Sequence, residues 1–236
     1  MIINRKRANH KGAFILLFLG SFLVVMTVGA LFVNNKQNME RAQMEQLVTV
    51  RGAKVNDVIC KLLYKTRVLS ALVVRNDGRV VDFDRAASTI VDDPSIRNVL
   101  LAPGGVVKYV YPLEGNEKVL GLDFFSEGSG NIEAARAKET GTLVLGGPFD
   151  LVQGGQAIVG RLPIYVGDEK NDENFWGIAS VTLNYPEALN GAELDELRTR
   201  GLAFEIWRII QTMERGRLSP TAITNIIKTR TMWSCR

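Results

Sequence analysis

The sequence predicts an α+β fold that follows an apolar N-terminal helix, and three observations support it. An uncharged apolar run occupies residues 12–33. From about residue 37 to 72 the chain has no proline and repeats apolar residues at three- and four-residue steps, as a long helix does. Beyond that stretch, short strand-like runs and short helical segments follow one another without βαβα alternation or internal repeat.

The apolar run is long enough to cross a membrane. At about 1.5 Å per residue, Gly12–Val33 forms a helix of about 33 Å, against a bilayer core of about 30 Å. Basic residues are denser before the run than after it: Arg5, Lys6, Arg7 and Lys11. Because basic flanks stay in the cytoplasm, we expect a cytoplasmic segment 1–11 and a single transmembrane helix 12–33. In a source with two membranes, the anchor lies in the inner membrane and the C-terminal domain is periplasmic.

A cleaved signal peptide is the main alternative for this run. Val28-Gly29-Ala30 loosely resembles a small-residue cleavage site. The run is longer than a usual signal-peptide apolar region, and Val28 fits the cleavage pattern poorly. A buried core helix is a weaker alternative, so the sequence favours an uncleaved anchor.

The residue inventory argues against an enzyme. The only histidine, His10, precedes the anchor, so we expect no histidine-based triad or metal site in the domain that follows. Cys60 and Cys235 form no disulfide framework. No phosphate-binding loop or nucleophile elbow occurs. Gly146–Asp150 is only superficially similar to the GGDEF signature of diguanylate cyclases, and we interpret it as a turn at a strand end. We therefore expect no catalytic residues, no metal and no cofactor.

Charge argues against a nucleic-acid partner. The chain carries a net charge of +4. The basic surplus lies in the two terminal tails, and the body between them is mildly acidic. A nucleic-acid-binding surface needs clustered positive charge on the folded body, and the sequence predicts none.

Residues 34–70 are expected to form a helical stalk after the anchor. Six apolar residues share one stripe of this helix: Met44, Leu47, Val55, Ile59, Leu62 and Leu69. The stripe has two compatible interpretations. It packs on the chain's own domain, or it joins two stalks in a homodimer.

The remaining elements follow from local patterns. Asn76-Asp77-Gly78 predicts a turn, and Pro94 ends a short helix expected over about 82–91. Two more helices are expected, at 132–139 and 186–200, each closed by a glycine. The expected strands are 96–101, 106–111, 143–145, 157–166, 178–183 and 203–209. We expect the aromatic step Phe175-Trp176-Gly177, which opens one of these strands, to lie in the core or on a dimer surface rather than to stack on a ligand.

Several segments, taken in order, resemble the CHASE sensory domain. They are VKYVYPLEGNEKVLGLD (107–123), EAARAKETGTLVLGGPFDL (133–151), Gln153-Gly154-Gly155, Arg161–Tyr165 and Phe175-Trp176-Gly177. The resemblance covers about residues 71–208 and assigns residues 71–210 to a CHASE-like domain. It implies an extracytoplasmic domain of two PAS-like halves on a helical stalk, which senses small molecules and drives a cytoplasmic kinase or cyclase.

The resemblance also implies where a ligand would bind. Ligand-contacting positions of plant cytokinin receptors fall on Gly130, Gly146 and Arg161 of this chain. None of the three carries the polar group that reads an adenine edge, so the resemblance transfers the pocket location and not the cytokinin. Arg161 is able to hold an anionic ligand through its planar donors. The preferred interpretation is a structural ion pair with Asp123, Asp150 or another acid.

The leading functional hypothesis is an extracytoplasmic input module of a transmembrane receptor. Its expected partners are an unidentified small molecule, the membrane, a second copy of the chain through the stalk, and a separate output protein. An alternative is a truncated fragment of a CHASE-containing diguanylate cyclase or histidine kinase, because the polar, basic tail 211–236 looks foreign to the domain. A pilin-like subunit is a remote alternative, since Leu17 stands where pilins need a glutamate.

Overall fold

A computed structural model describes residues 10–126, 131–151, 154–207 and 226–229, which form two compact units, Met1–Val50 and Arg51–Arg236. The first unit contains the N-terminal part of helix α1 (His10–Arg75). Within the described residues, this helix alone is long and apolar enough to cross a membrane, and its most apolar stretch is exposed. The sequence-based prediction of a helix over the apolar run is confirmed.

The second unit contains the rest of α1 and a β-rich domain. Its other helices are α2 (Phe83–Ile90), α3 (Asn131–Thr140) and the short α4 (Asp195–Thr199). Two 3-10 turns lie at Glu117–Val119 and Glu187–Ala192. The strands are β1 (Ile96–Pro103), β2 (Tyr109–Tyr111), β3 (Val144–Asp150), β4 (Gln156–Tyr165), β5 (Phe175–Tyr185), β6 (Phe204–Trp207) and β7 (Ile226–Thr229).

The first five strands form one antiparallel sheet in the order β2-β1-β5-β4-β3. Strands β6 and β7 form a separate pair. Helices lie among these strands without regular alternation, which confirms the α+β class. The described residues form one five-stranded sheet, and the second PAS-like half stays a prediction.

Two local predictions are wrong. The segment expected as one helix over 186–200 is a 3-10 turn followed by α4, because Glu193 between them adopts a left-handed conformation with φ of 53°. The GGPFD segment is not a turn at a strand end. It lies inside β3, where the pairing with β4 shifts between Gly146 and Phe149.

One face of the sheet packs against helix α1. Four residues of the stripe expected on the stalk (Val55, Ile59, Leu62 and Leu69) are buried in the chain's own core with residues of β1, β4 and β5. The first of the two interpretations of the stripe is therefore confirmed for these four residues. They are not free to contact a second copy of the chain.

Glycine at position 160 permits this close packing. A Cβ atom there would lie 2.3 Å from Cδ2 of Leu63 on α1, closer than any ordinary contact. Because Gly160 is on β4, next to Arg161, the strand contacts the helix on one face and presents Arg161 on the other.

Candidate functional site

The second face of the sheet combines an apolar lining with buried polar side chains. Alternation along β4 turns Arg161 to this face, and its neighbour on β5 is Ser180, whose neighbour on β1 is Leu100. The apolar lining is a cluster formed by Leu100, Ala102, Val107, Val110, Val119, Phe124, Ala134 and Ile178. This arrangement places a charged group beside an apolar cluster.

Four polar side chains of this face are buried on three adjacent strands. Asn98 and Ser180 are 0% exposed, Thr182 is 5% exposed and Arg161 is 6% exposed. Asn98 lies opposite Thr182, two residues along β5 from Ser180. We call Asn98, Arg161 and Ser180 the polar row.

Each member of the polar row has a buried polar atom without a hydrogen-bond partner among the described residues. These atoms are Nε and Nη1 of Arg161, Oγ of Ser180 and Oδ1 of Asn98. The amide of Asn98 is satisfied on its other side, where Nδ2 donates to Oδ1 of Asn116 at 2.7 Å. Native proteins rarely leave buried polar atoms unpaired, so three such residues on one face mark a candidate site.

The guanidinium of Arg161 stacks on an aromatic ring. Its central carbon lies 3.9 Å from the ring centroid of Phe124, which is itself buried. Burial lowers the pKa of Arg161 to about 10, and the nearby charge of Glu133 on α3 acts in the opposite direction. The side chain remains a cation at neutral pH.

Among the described residues, Arg161 forms none of the ion pairs expected for it. Within the described residues, no carboxylate oxygen lies within 4.0 Å of its nitrogens, Asp123 and Asp150 included. Oδ1 of Asp123 instead accepts the backbone N–H of Phe125 at 2.8 Å, and Oδ1 of Asp150 accepts from Gln156 at 3.1 Å. The buried charge of Arg161 therefore has no direct neutralising contact in this part of the chain.

Gly146 lies close to the same group of residues. Its partner on β4 is Val159, two residues from Arg161, so it shares their face of the sheet. A Cβ atom on Gly146 would lie 2.8 Å from the ring of Phe149 and 3.0 Å from Cγ of Glu133. The absent side chain at 146 thus gives Glu133 room beside the strand.

The structure brings together two of the three residues expected at the ligand site. Gly146 and Arg161 lie on one face and both lie near Glu133. Gly130 lies outside the described residues. The sequence interpretation missed Asn98, Ser180 and Phe124. One sequence signal for this face was available. Ser180 and Thr182 are polar residues two positions apart in the apolar strand β5, so they share one face of the sheet.

The aromatic step at the start of β5 has a structural role. The indole Nε1 of Trp176 donates to the backbone oxygen of Gly78 at 2.8 Å, which ties β5 to the turn after α1. Phe175 packs with Phe125 and Tyr165, and the ammonium of Lys138 lies 4.7 Å from its ring centroid. Trp176 packs against the core between α1 and the sheet, and Phe175 packs against the apolar lining of the second face, as expected from the sequence.

Of the open clefts that the described residues line, three lie elsewhere in the second unit. The first, of about 410 Å³, is lined by α1 and by the segments 93–95 and 187–191. The others, of about 690 and 570 Å³, lie beside β6 and beside α2. None of the three has a member of the polar row among its lining residues. The unpaired polar atoms, and not cleft size, therefore identify the candidate site.

The family model described as the CHASE domain matches residues 79–218. A solved extracellular ligand binding receptor from Desulfohalobium retbaense is similar with a TM-score of 0.58 and 18% identity, over 70% of this chain. The chain spans 29% of that receptor's length, and the likeness shows the fold. No curated protein matches the chain significantly.

Proposed function

This chain belongs to the CHASE domain family, and we propose that it is the sensory input module of a transmembrane receptor, with a small-molecule site on the second face of the five-stranded sheet. The family assignment supports a sensory domain rather than a catalytic one. The position of the module outside the cytoplasm is supported by the apolar N-terminal helix and by the basic flank that precedes it.

One observation carries the location of the ligand site. The polar row is buried, lies within an apolar layer, and has unpaired atoms on all three of its residues. A binding site of this kind, mostly apolar with a few convergent polar groups, is the usual form of a small-molecule pocket. The ligand would complete hydrogen bonds that the described residues leave open.

Strand β4 offers a short route from the ligand site to helix α1. Arg161 faces the site, and Gly160, the preceding residue, contacts Leu63 of α1 on the opposite face. A ligand that favours one position of β4 would therefore favour one position of the helix. It shifts that equilibrium only as far as its affinity differs between the two states.

The output of the module stays at the level of a proposal. We propose a single-pass protein of the inner membrane that acts as a homodimer through α1 and signals to a separate output protein. A second proposal is an input region of a larger receptor enzyme, a diguanylate cyclase or histidine kinase. Sequencing the DNA downstream of the gene and translating it in all three frames tests this second proposal. A second apolar span followed by a GGDEF or kinase motif would support it.

A ligand screen tests the sensory proposal. The full chain is reconstituted in lipid nanodiscs, and its thermal unfolding is followed with a library of neutral, cationic and anionic metabolites. A ligand that binds the native state raises the unfolding temperature by mass action. At a hundredfold excess over its Kd, it adds about 2.7 kcal/mol to the free energy of unfolding. A library without any stabilising compound would argue against a small-molecule sensor.

A further inference from the structure

The chemistry of the polar row restricts the class of ligand. Arg161 supplies N–H donors at Nε and Nη1, and the hydroxyl of Ser180 supplies a further donor from the adjacent strand. Directly opposite residues on paired strands hold their Cβ atoms about 5 Å apart. Two donor side chains that start from adjacent strands on one face suit an acceptor group with two oxygens.

The balance of charge favours an anion with a single negative charge. The guanidinium of Arg161 is the charged member of the polar row, and its field is partly opposed by Glu133. A cationic ligand would be repelled by Arg161 in a layer that excludes water. A dianion would bring one charge more than the single guanidinium compensates, and a buried uncompensated charge is costly.

The surroundings of the polar row favour an apolar body on that anion. Phe124 covers one side of the Arg161 guanidinium, and Leu100 and Ile178 flank Ser180 along the same face. Apolar ligand surface placed here replaces contact with water by contact with carbon atoms.

We propose that the ligand is a monocarboxylate with an apolar body, whose carboxylate accepts hydrogen bonds from Arg161 and Ser180 and whose body packs on the apolar lining. This inference rests on the proposed function and names the ligand class of the same site. Arginine suits this role because its planar donors match the two oxygens of a carboxylate. The stacking on Phe124 holds the guanidinium in place before the ligand arrives.

The test compares matched probes on matched variants. The full chain in nanodiscs is titrated at constant ionic strength with propionate, butyrate, isovalerate and benzoate. The corresponding primary amides, inorganic phosphate and sulfate serve as comparison probes. The readout is the unfolding temperature of the wild type, of Arg161→Met, of Arg161→Lys and of Ser180→Ala. Arg97→Met on β1 is the control, because it removes an arginine of the sheet outside the polar row.

The expected result is a carboxylate that stabilises the wild type and Arg97→Met equally, while its amide does not. We expect Arg161→Met to weaken the apparent affinity about tenfold or more, Arg161→Lys to weaken it less, and Ser180→Ala to weaken it by a few fold. Equal shifts in the wild type and Arg161→Met overturn the inference, and so does a preference for amides or phosphate. A neutral or cationic hit in the broader library would then leave the sensory proposal standing, whereas a library without hits would remove both.

Discussion

Leu63 of helix α1 occupies the space that a side chain on Gly160 of β4 would need, with its Cδ2 2.3 Å from the position of a Cβ atom there. Both residues lie in the second unit, on the sheet face opposite the polar row. Helix α1 therefore packs directly against the strand that carries Arg161.

A methyl group at position 160 is expected to disturb this contact. Gly160→Ala forces Leu63 or the strand to move, and overpacking of this kind costs about 1–3 kcal/mol of unfolding free energy. Urea unfolding measures the loss. The double variant with Leu63→Ala relieves the clash, so the two changes should be less than additive. Strict additivity would show that the two residues do not share this space.

Removing the charge of Arg161 is expected to stabilise the ligand-free protein. Burial lowers the pKa of Arg161 to about 10, and no carboxylate among the described residues pairs with it directly, so the folded state disfavours its charged form. Arg161→Met should therefore raise the unfolding free energy by about 1–4 kcal/mol at pH 7. In the wild type, Arg161 makes the free energy of unfolding rise with pH only above about pH 10. In that range the folded protein loses the proton of Arg161 before the unfolded chain does. A large loss of stability in Arg161→Met would instead indicate a structural ion pair.

The indole of Trp176 is expected to stabilise the turn that follows α1. Trp176→Phe removes the hydrogen bond to the backbone oxygen of Gly78 and should cost about 1 kcal/mol, or about 2–4 °C in Tm. Tyr64→Phe is the matched control, since Tyr64 is exposed and its hydroxyl has no partner among the described residues. An unchanged Tm for Trp176→Phe would contradict a stabilising role for this bond.

Acid is expected to loosen the contact between α1 and the segment around α4. Hydrogen bonds from Lys54 and Arg51 lower the pKa of Glu193 below its usual 4.5, and Arg51 also pairs with Glu196. A carboxyl group with a lowered folded-state pKa contributes stability above about pH 4.5 and loses it as the pH falls further. Thermal unfolding of Glu193→Gln should show a smaller decrease in Tm between pH 5 and pH 3 than the wild type.

The control for this pH series is Glu173→Gln, which neutralises an exposed glutamate without an ion pair among the described residues. Its Tm should follow the wild-type pH dependence. If Glu193→Gln follows it as well, the network around Arg51 makes no pH-dependent contribution.

Labelling of Cys60 tests the membrane topology. Cys60 is an exposed free thiol on α1, beyond the apolar run. In intact spheroplasts of cells that express a Cys235→Ser variant, we expect a membrane-impermeant maleimide to label the protein. Cys60→Ser in the same background should remain unlabelled. Labelling that requires membrane lysis would place this part of the chain in the cytoplasm.

The sequence predicted those parts of the fold that depend on local pattern. The apolar run follows from its length without a charge, the helix after it from apolar residues at three- and four-residue steps, and strand β4 from a short, almost continuous apolar stretch. The break at Glu193 was not predictable, because the left-handed conformation of a glutamate is imposed by its surroundings and not by its own preference.

The candidate site was predicted only in part for a related reason. Arg161 attracts attention as a charge in an apolar strand, but whether a described carboxylate pairs with it depends on strands and loops far apart in sequence. Ser180 becomes a neighbour of Arg161 only through the register of β4 and β5, and Phe124 through the fold of the loop before α3. No single-sequence pattern encodes that register.

A crystal structure of the protein with its most strongly stabilising compound tests the central claim most directly. We predict the compound on the second face of the sheet, with an acceptor atom within about 3.2 Å of a nitrogen of Arg161 and of Oγ of Ser180. A compound bound in one of the open clefts, with the polar row still unpaired, would contradict the assignment of the ligand site.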